Sequence, residues 1–498
     1  MDILTPRRQP RFGMVEGVVL GIYSILVAWL TAHHEPWTDE AQAWLLARDL
    51  SLSSLFLKHL HYEGTPGLWH LFLWILSRLH ISYGLMHWIT AGVAVTGMWI
   101  FLAFSPFPAI LRATVPFTCF IVYQYAVIAR SYALIPIFVF CIAALFSKPI
   151  DNLIALSLLL GLLGNISAHG FILSLGFGLI LSIRLWQYKR THEVAFGTQR
   201  LTISIVIVCS LWVFAVVSAW PAADNSYNPP SKLWHLNDLI FRMMPVGFSR
   251  LWPVSLFIGT SLLAYLFARR RPWEIAPCAL LQLFFALVVV RPWHIGIMFI
   301  AAVGVVWVNW PTDEEKWRSW DRSLTIVLLV AVIDQITVSA HDIAIDIKYP
   351  YSGDQQAATF LRDKISKKHV DGVGYYSIGI LPYFQSNIYE NQQRYSFWSW
   401  NKASENSDQI SNVSQILQEH PDYLVVGFAW VDPSDQQSAS KFLWQITQTA
   451  FPLQKQIETR FLYRETHRFC GIGISGFTYR EGLCLAIFEP IRTARSSN

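Results

Sequence analysis

Long apolar runs separated by short polar or basic segments fill the first two thirds of the chain. The first run, Phe12–Ala32, follows Arg7, Arg8 and Arg11 and lacks the cleavage pattern of a signal peptide. Ten more runs lie at Tyr83–Phe104, Phe107–Tyr123, Tyr132–Phe146, Leu153–Ile166, Phe171–Leu185, Leu201–Trp220, Trp252–Phe267, Ile275–Val290, Ile295–Trp310 and Leu324–Ala340. A helix needs about 20 mostly apolar residues to cross a bilayer. The pattern therefore predicts about eleven transmembrane helices, the first of them retained.

One further run, Leu68–Leu79, is short and contains His70 and Arg78. Basic loops mark the cytoplasmic side of a membrane protein, and here they lie at Arg184–Arg200, Arg269–Arg271 and Lys316–Arg322. If Leu68–Leu79 does not span, a cytoplasmic N-terminus places all three loops in the cytoplasm. We therefore expect residues 33–82 to form one large extracytoplasmic loop, whose later part is an amphipathic helix at the membrane surface.

The pattern changes after about residue 340, where polar residues increase and apolar runs shorten. Strands are predicted for "DGVGYYSIGI", "PDYLVVGFAW", "CGIGISG" and "CLAIFEP", and helices for "GDQQAATFLRDKI" and "DQQSASKFLWQI". The sequence thus predicts a polytopic α-helical membrane domain at 1–340 and a small soluble α/β domain at 341–498, outside the cytoplasm. Cys470 and Cys484 can pair there if the compartment is oxidising, and the sequence leaves that open.

Composition agrees with a membrane protein. Hydrophobic residues make up 53% of the chain and charged residues only 14%, against about a quarter charged in soluble domains. A net charge of +5 with 22 Trp residues is typical of basic cytoplasmic loops and aromatic belts at the membrane surface, and it argues against nucleic-acid binding. We expect a multi-pass protein of the bacterial inner membrane.

Two adjacent acids follow the first predicted span, in "WTDEAQAW". The simplest interpretation is structural, because the helix dipole favours acids in a first turn, with Thr38 as the cap. Alternatively, a carboxylate partly removed from water accepts a proton from a substrate hydroxyl or amine. Adjacent helical positions point about 100° apart, so one acid at most faces the substrate. We predict Asp39 as the base and Glu40 as its orienting neighbour.

A second polar stretch is "HLHYEGTPGLWHLFLW", residues 59–74. Gly64, Pro66 and Gly67 predict a turn before an aromatic helix. This stretch is either a loop with anchors in the membrane surface or a wall of a substrate site, with His61 and Glu63 as polar contacts.

Basic and imidazole side chains lie at other predicted outer ends. Arg130, flanked by Tyr125 and Tyr132 in "YQYAVIARSYAL", either extends to lipid headgroups or binds two phosphate oxygens. Arg291 and His294 lie in "RPWHIG", and His169 in "NISAHGF". A single histidine at a membrane edge is usually structural, but several such residues on one side favour an anion site.

An acid pair at the start of the first outer loop resembles the GT-C superfold of glycosyltransferases that use polyprenyl-phosphate sugars. Protein O-mannosyltransferases and lipid A aminoarabinose transferases belong to it. "WTDEAQAW" is similar to their acid-pair motif, and "EGTPGLWH" lies where they carry an Xaa-Pro-Pro-Leu turn. Thr65-Pro66-Gly67 replaces the usual basic-Pro-Pro sequence. The resemblance covers residues 1 to about 310 and is weaker at "ARSYAL" and "RPWHIG".

The resemblance implies inverting transfer of a sugar from a polyprenyl-phosphate donor to a lipid, glycan or protein acceptor. Asp39 and Glu40 would then be the catalytic pair. Arg130, Arg291 and His294 would bind the donor phosphate, and His61, Glu63, Tyr125, Tyr132 and His169 would line the substrate site. Since the chain has no Asp-X-Asp at the acid pair, we expect no cofactor and favour metal-independent transfer over a divalent metal.

Two other functions compete with transfer. A transporter or flippase of a lipid-linked glycan intermediate would carry ionisable residues within its spans, and Asp334 is the notable example here. A non-catalytic membrane subunit that presents the C-terminal domain to a partner would not need Asp39, Arg130 and His294 on a common side.

Overall fold

The fold is mostly helical and ends in a small β-sheet. We analysed a computed structural model, which describes residues 12–192, 198–226, 247–288, 292–311, 319–392, 395–402, 416–430, 457–458, 463–475 and 479–491. Its main helices are α1 (Met14–His33), α2 (Thr38–Asp49), α3 (Leu68–Arg78), α4 (Tyr83–Phe104), α5 (Ile135–Leu145), α6 (Leu153–Gly164), α7 (Ala168–His192), α8 (Thr198–Ala219), α9 (Trp252–Ala268), α10 (Ala276–Leu287), α11 (Pro292–Asn309), α12 (Ser319–Lys348) and α13 (Asp354–Arg362).

Short or irregular helical pieces lie between these helices. They occur at Leu52–Ser54, Leu55–His59, Leu60–Glu63, Ala109–Thr114, Val115–Phe117, Phe120–Gln124, Ser131–Leu134, Pro272–Ile275 and Tyr375–Tyr383. Gly64, whose φ is +62°, ends the piece Leu60–Glu63 in the left-handed conformation. This is the turn that the glycine and proline pattern predicted.

Five helices of the described residues are long and apolar enough to cross a membrane. They are α1, α4, α8, α12 and the part of α7 at Ala168–Arg190. Five other predicted runs form apolar helices of 10–17 residues. The structure thus agrees with a membrane-embedded protein, whereas eleven complete spans remain a prediction.

The predicted span Phe107–Tyr123 differs from the expectation, because it is three short helical pieces and not one helix. Pro116 lies in the central piece, where it cannot donate a backbone hydrogen bond. The pieces run parallel to α1, because two contacts advance along both segments in the same direction: Arg112 Nη2 with Glu16 Oε1 at 2.8 Å, and Tyr23 Oη with Ile121 O at 3.0 Å. The broken segment therefore extends beside α1 from its first turn.

The burial pattern of helix α8 is the reverse of the pattern in a helix of a soluble protein. Its buried residues are Ser204, Ala215 and Ser218, whereas large apolar side chains such as Val213 and Val217 are exposed. Small residues at helix contacts and large apolar residues outside are typical of helices packed within a bilayer. The exposed apolar face of α8 is therefore suited to contact with membrane lipid.

Ion pairs gather at the end of the bundle that holds the basic segments. Arg184 of α7 donates to Glu274 Oε2 at 2.6 Å and to the Val308 carbonyl in the last turn of α11 at 3.1 Å. Arg269, just after α9, pairs with Asp321 in the first turn of α12. Helix α11 runs from this end to the candidate site described below. The basic segments and the site therefore lie at opposite ends of α11.

Helix α3 confirms the predicted helix at Leu68–Leu79. Its 11 residues extend about 16 Å at 1.5 Å per residue, too short to cross a hydrocarbon core of about 30 Å. The helix packs along α2, where Ser77 Oγ donates to the Ala47 carbonyl at 3.4 Å and Trp74 Nε1 to the Leu50 carbonyl at 3.2 Å.

The C-terminal sheet contains β1 (Val370–Val373), β2 (Tyr423–Trp430), β3 (Tyr463–Ser475) and β4 (Tyr479–Pro490) in the order β1-β2-β4-β3. Strands β1 and β2 are parallel, and the other pairings are antiparallel. The structure pairs Cys470 of β3 with Cys484 of β4 in a disulfide between directly opposed positions. The bond fixes the register of β3 on β4.

The structure confirms three of the predicted strands and the helix predicted in "GDQQAATFLRDKI", which is α13. The first predicted strand, "DGVGYYSIGI", ends early, because Gly374 turns the chain at a φ of +85° into the helical piece Tyr375–Tyr383. A side chain at Gly374 would also collide with the Gly427 carbonyl of β2. The helix predicted in "DQQSASKFLWQI" lies outside the described residues.

Candidate functional site

The two adjacent acids of the first outer segment differ completely in their surroundings. Both lie in the first turn of α2, which four connecting residues separate from the end of α1. Thr38 is the first helical residue and not the cap; the carboxylate of Glu40 instead accepts the backbone N–H of Trp37 at 3.0 Å. Glu40 is fully buried, whereas the Asp39 side chain is 19% exposed.

Glu40 is bonded from three parts of the chain. Besides Trp37, it accepts His87 Nε2 of α4 at 2.9 Å and the Ala129 backbone N–H at 2.5 Å, and it lies 3.6 Å from His34 Nε2. Burial alone would raise the pKa of Glu40, but His87 and His34 outweigh it and hold the pKa well below the usual range. Glu40 thus remains charged, and its burial suits positioning better than substrate contact.

His34 extends the buried network to α12. Its Nδ1 lies 3.3 Å from Asp346 Oδ2, and both side chains are buried. Burial lowers the pKa of His34, but the carboxylates of Asp346 and Glu40 raise it to about 10. A protonated His34 between two carboxylates is the arrangement that a buried charged network requires.

Asp39 is bonded through both carboxylate oxygens. Arg130 Nη1 lies 2.6 Å from Oδ2, and the Tyr375 hydroxyl donates to Oδ1 at 2.7 Å. The two acids pair in reverse order with two consecutive residues of another segment, since Asp39 binds Arg130 and Glu40 binds the Ala129 backbone. The buried contact therefore sets the position of the exposed one.

Aromatic rings surround the Arg130 guanidinium. Its central carbon lies 5.6 Å from the ring centroid of Trp37, and 5.4 Å from those of Tyr132 and Trp293. Rings at this distance attract a cation through their electron-rich faces. Because the side chain turns to Asp39 inside these rings and is only 22% exposed, it does not extend to lipid headgroups.

The predicted imidazoles lie next to this aromatic cage. Tyr132 Oη is 2.8 Å from His294 Nε2, and the rings of His294 and His169 are 4.0 Å apart between centroids. Tyr125 is buried and donates its hydroxyl to the Trp293 carbonyl at 2.8 Å. The structure thus brings Arg130, His294, Tyr132 and His169 together; Arg291 lies outside the described residues.

Glu63 and His61 have different partners. Glu63 Oε1 accepts Gln42 Nε2 at 2.8 Å. Burial raises the pKa of Glu63 to about 7, and the nearby Asp39 carboxylate adds to this rise, against the Gln42 hydrogen bond. His61 Nδ1 is 2.6 Å from the Trp220 carbonyl at the end of α8, so it connects two segments.

The C-terminal part of the chain supplies contacts that the sequence did not predict. Tyr375 reaches Asp39, and Gln42 of α2 bonds both backbone groups of Trp398, donating to its carbonyl at 2.8 Å and accepting its N–H at 2.9 Å. The only available signal for Tyr375 was the glycine before the "YY" pair, which breaks the strand pattern. Trp293, which follows Arg291 by two residues in "RPWHIG", was also missed.

Potential metal ligands lie elsewhere. Within the described part of the chain, one set of metal-binding side chains lies close enough together to share an ion. It consists of His369, Asp371 and Glu419. Asp39 and Glu40 do not belong to it. Among the described residues the candidate site thus offers a carboxylate, a guanidinium, imidazoles and hydroxyls.

Comparison of the chain with protein-family models, with curated proteins and with solved structures gives no match in any of the three. A functional interpretation therefore depends on the residues of the site and their geometry.

The two acids should lose stability to different extents on neutral substitution. Glu40→Gln leaves a protonated His34 without one of its buried partners, which costs about 3–5 kcal/mol. Asp39→Asn keeps the side-chain shape and an acceptor for Arg130 at a partly exposed position, so we expect a loss of about 1 kcal/mol. The measurement is the melting temperature of both purified variants in detergent. Equal losses would contradict the assignment of the structural role to Glu40.

Glu63 should make stability depend on pH. Its pKa in the fold is about 7, against an ordinary value of 4.5, so the folded protein binds the proton more tightly than the unfolded chain. Stability contributed by Glu63 is therefore present at pH 4.5 and lost as the pH rises to 7. We expect Glu63→Gln to gain in melting temperature relative to the wild type between pH 5 and pH 8. A difference that stays constant over this range would show that Glu63 does not titrate there.

Proposed function

We propose that the protein is an integral-membrane glycosyltransferase. It moves a hexosyl or pentosyl group from a polyprenyl-phosphate donor to an acceptor on the extracytoplasmic side, with inversion at the anomeric carbon. The observation that carries the proposal is the pairing of the partly exposed Asp39 with Arg130 after the first apolar helix. A base and a phosphate-binding cation side by side are the two groups that this transfer needs.

The Arg130 guanidinium would bind the donor phosphate. A guanidinium has five N–H donors in a planar fork that matches phosphate oxygens. The rings of Trp37, Tyr132 and Trp293 hold it in place, and His294, bonded to Tyr132, lies beside it. These groups supply positive charge and hydrogen bonds where negative charge develops on the leaving phosphate. The proposal therefore requires no metal at this site.

Donor binding would release the base. Arg130 neutralises Asp39 in the structure, and a phosphate competes for the same guanidinium. Once Arg130 turns to the phosphate, Asp39 retains the Tyr375 hydrogen bond and accepts a proton from the acceptor hydroxyl or amine. The acceptor atom bonds to the anomeric carbon as the carbon–oxygen bond to phosphate breaks, and polyprenyl phosphate leaves with the electron pair.

Two observations support an extracytoplasmic position for the site. The basic segments, which favour the cytoplasm, lie at the opposite end of α11 from His294. The Cys470–Cys484 disulfide is typical of an oxidising compartment such as the bacterial periplasm. We therefore propose an inner-membrane protein with its site and C-terminal sheet outside the cytoplasm, and a GT-C-like arrangement of its helices.

The transporter alternative has less support from the geometry. Asp334 in α12 is the acid that favoured this alternative. It accepts the Arg250 backbone N–H at 3.0 Å and lies 3.3 Å from Arg250 Nε. An acid bonded twice to one arginine suits packing between α12 and the start of α9 better than a transport pathway. The transfer proposal instead uses groups that adjoin one another at one site.

Removing the base should stop the reaction without unfolding the protein. In a strain that lacks the protein, we expect the Asp39→Asn gene to leave the glycan product absent and the polyprenyl-phosphate sugar accumulated, as seen by mass spectrometry of the envelope lipids. The matched control is Asp49→Asn, the same change at the other end of α2, where the side chain pairs with Arg48. It should restore the product. Normal product with Asp39→Asn would remove the base assignment.

The membrane orientation can be tested separately. A reporter fused after residue 80, between α3 and α4, should be active in the periplasm, because 33–82 is predicted to lie outside. A reporter fused after residue 190, at the end of α7, should be active in the cytoplasm. A periplasmic reading at residue 190 would reverse the topology and place the site on the cytoplasmic side.

A further inference from the structure

A second polar cluster lies at the start of β1, the strand at one end of the C-terminal sheet. His369 and Asp371 are two positions apart, so their side chains point to the same side of the extended chain. His369 Nε2 is 3.0 Å from Asp371 Oδ1 and 3.8 Å from Glu390 Oε2. One ligand atom each of His369, Asp371 and Glu419 lies within 4.8 Å of the others.

Asp371 shows that this cluster is more than a group of surface acids. Its side chain is completely buried, and Oδ2 has no hydrogen-bond partner among the described residues. The other oxygen, Oδ1, accepts the Asn391 backbone N–H at 3.1 Å besides facing His369. A buried carboxylate oxygen without a partner costs about 1–3 kcal/mol or more, so the fold holds this charged side chain against His369 at a cost.

The charges nearby do not offset that cost. Three carboxylates, from Asp371, Glu390 and Glu419, surround one imidazole. The lysine that precedes His369, Lys368, is bonded to Asp422 Oδ1 at 3.0 Å.

From this geometry we propose that His369, Asp371 and Glu419 bind a divalent transition-metal ion of the zinc class. A tetrahedral zinc ion with bonds of about 2.0–2.1 Å holds its ligand atoms a little over 3 Å apart, close to the 3.0 Å between His369 Nε2 and Asp371 Oδ1. One imidazole nitrogen with carboxylate oxygens favours zinc or manganese, whereas calcium and magnesium prefer oxygen ligands alone.

The ion would join parts of the sheet that are separate in sequence. Asp371 lies in β1, His369 immediately precedes this strand, and Glu419 lies shortly before β2. Glu390, 3.8 Å from the imidazole, is half exposed and available as a further oxygen ligand. The ion therefore stabilises the start of the parallel β1–β2 pair, and the proposal does not depend on the transfer reaction.

The test uses the full chain in detergent, stripped with a chelator and then titrated with ZnCl₂ alone. We expect the wild type to bind one more zinc ion per chain than Asp371→Asn or Glu419→Gln, with affinity at least about tenfold higher, and to gain in melting temperature. Glu419→Gln keeps the test decisive if Asp371→Asn does not fold, because Glu419 is exposed. His341→Gln, from a His–Asp pair outside the cluster, should bind zinc like the wild type.

The difference in melting temperature between the wild type and Asp371→Asn distinguishes a metal site from a structural ion pair, because a metal site predicts that its sign reverses when zinc is added. Without zinc, Asp371→Asn should match or exceed the wild type in melting temperature, because the substitution removes a buried charge. With zinc, the wild type should be the more stable protein. Equal zinc uptake by the wild type, Asp371→Asn and Glu419→Gln would overturn the proposal, and so would a wild-type melting temperature that zinc, manganese, calcium and magnesium all leave unchanged.

Discussion

One buried carboxylate at the junction of α1 and α2 organises the candidate site. Removing an ion from water costs several kcal/mol unless partners replace the lost hydration. Glu40 obtains those partners from its own helix start, from His87 of α4 and from the Ala129 backbone, while His34 connects it to α12. Because each partner comes from a different part of the chain, the buried charge of Glu40 is stable only when the fold brings these partners together.

The chemistry proposed for Asp39 follows from this constraint. Consecutive helical side chains diverge by about 100°, so fixing Glu40 inward turns Asp39 toward the partly exposed side. The same principle acts on the opposing segment, where Ala129 is held by Glu40 and the next residue, Arg130, meets Asp39. The two adjacent contacts thus have different roles: the buried one sets the position, and the partly exposed one contains the proton acceptor and the phosphate-binding group of the proposed reaction.

Sequence reasoning found the parts of the site that local pattern determines. Apolar run length predicted the long membrane helices, and the acid pair and Arg130 were visible because charge is rare at a membrane edge. It failed where contacts between residues far apart in the sequence determine the structure. Pro116 breaks an apolar run that composition alone reads as one span. Tyr375 lies over 300 positions from Asp39, and in strand-like surroundings Gly374 alone did not indicate that the chain turns there toward α2.

The C-terminal sheet therefore contributes to the geometry of the candidate site. Strand β1 ends at Gly374, immediately before the tyrosine whose hydroxyl holds Asp39. Gln42 binds both backbone groups of Trp398 from the same helix that carries Asp39. A displacement of β1 would move the Tyr375 hydroxyl relative to the carboxylate, and hydrogen bonds weaken steeply with misalignment. Whatever fixes β1 against β2 thus also fixes the geometry of the proposed base, although Asp39 itself lies in α2, far from both strands in the sequence.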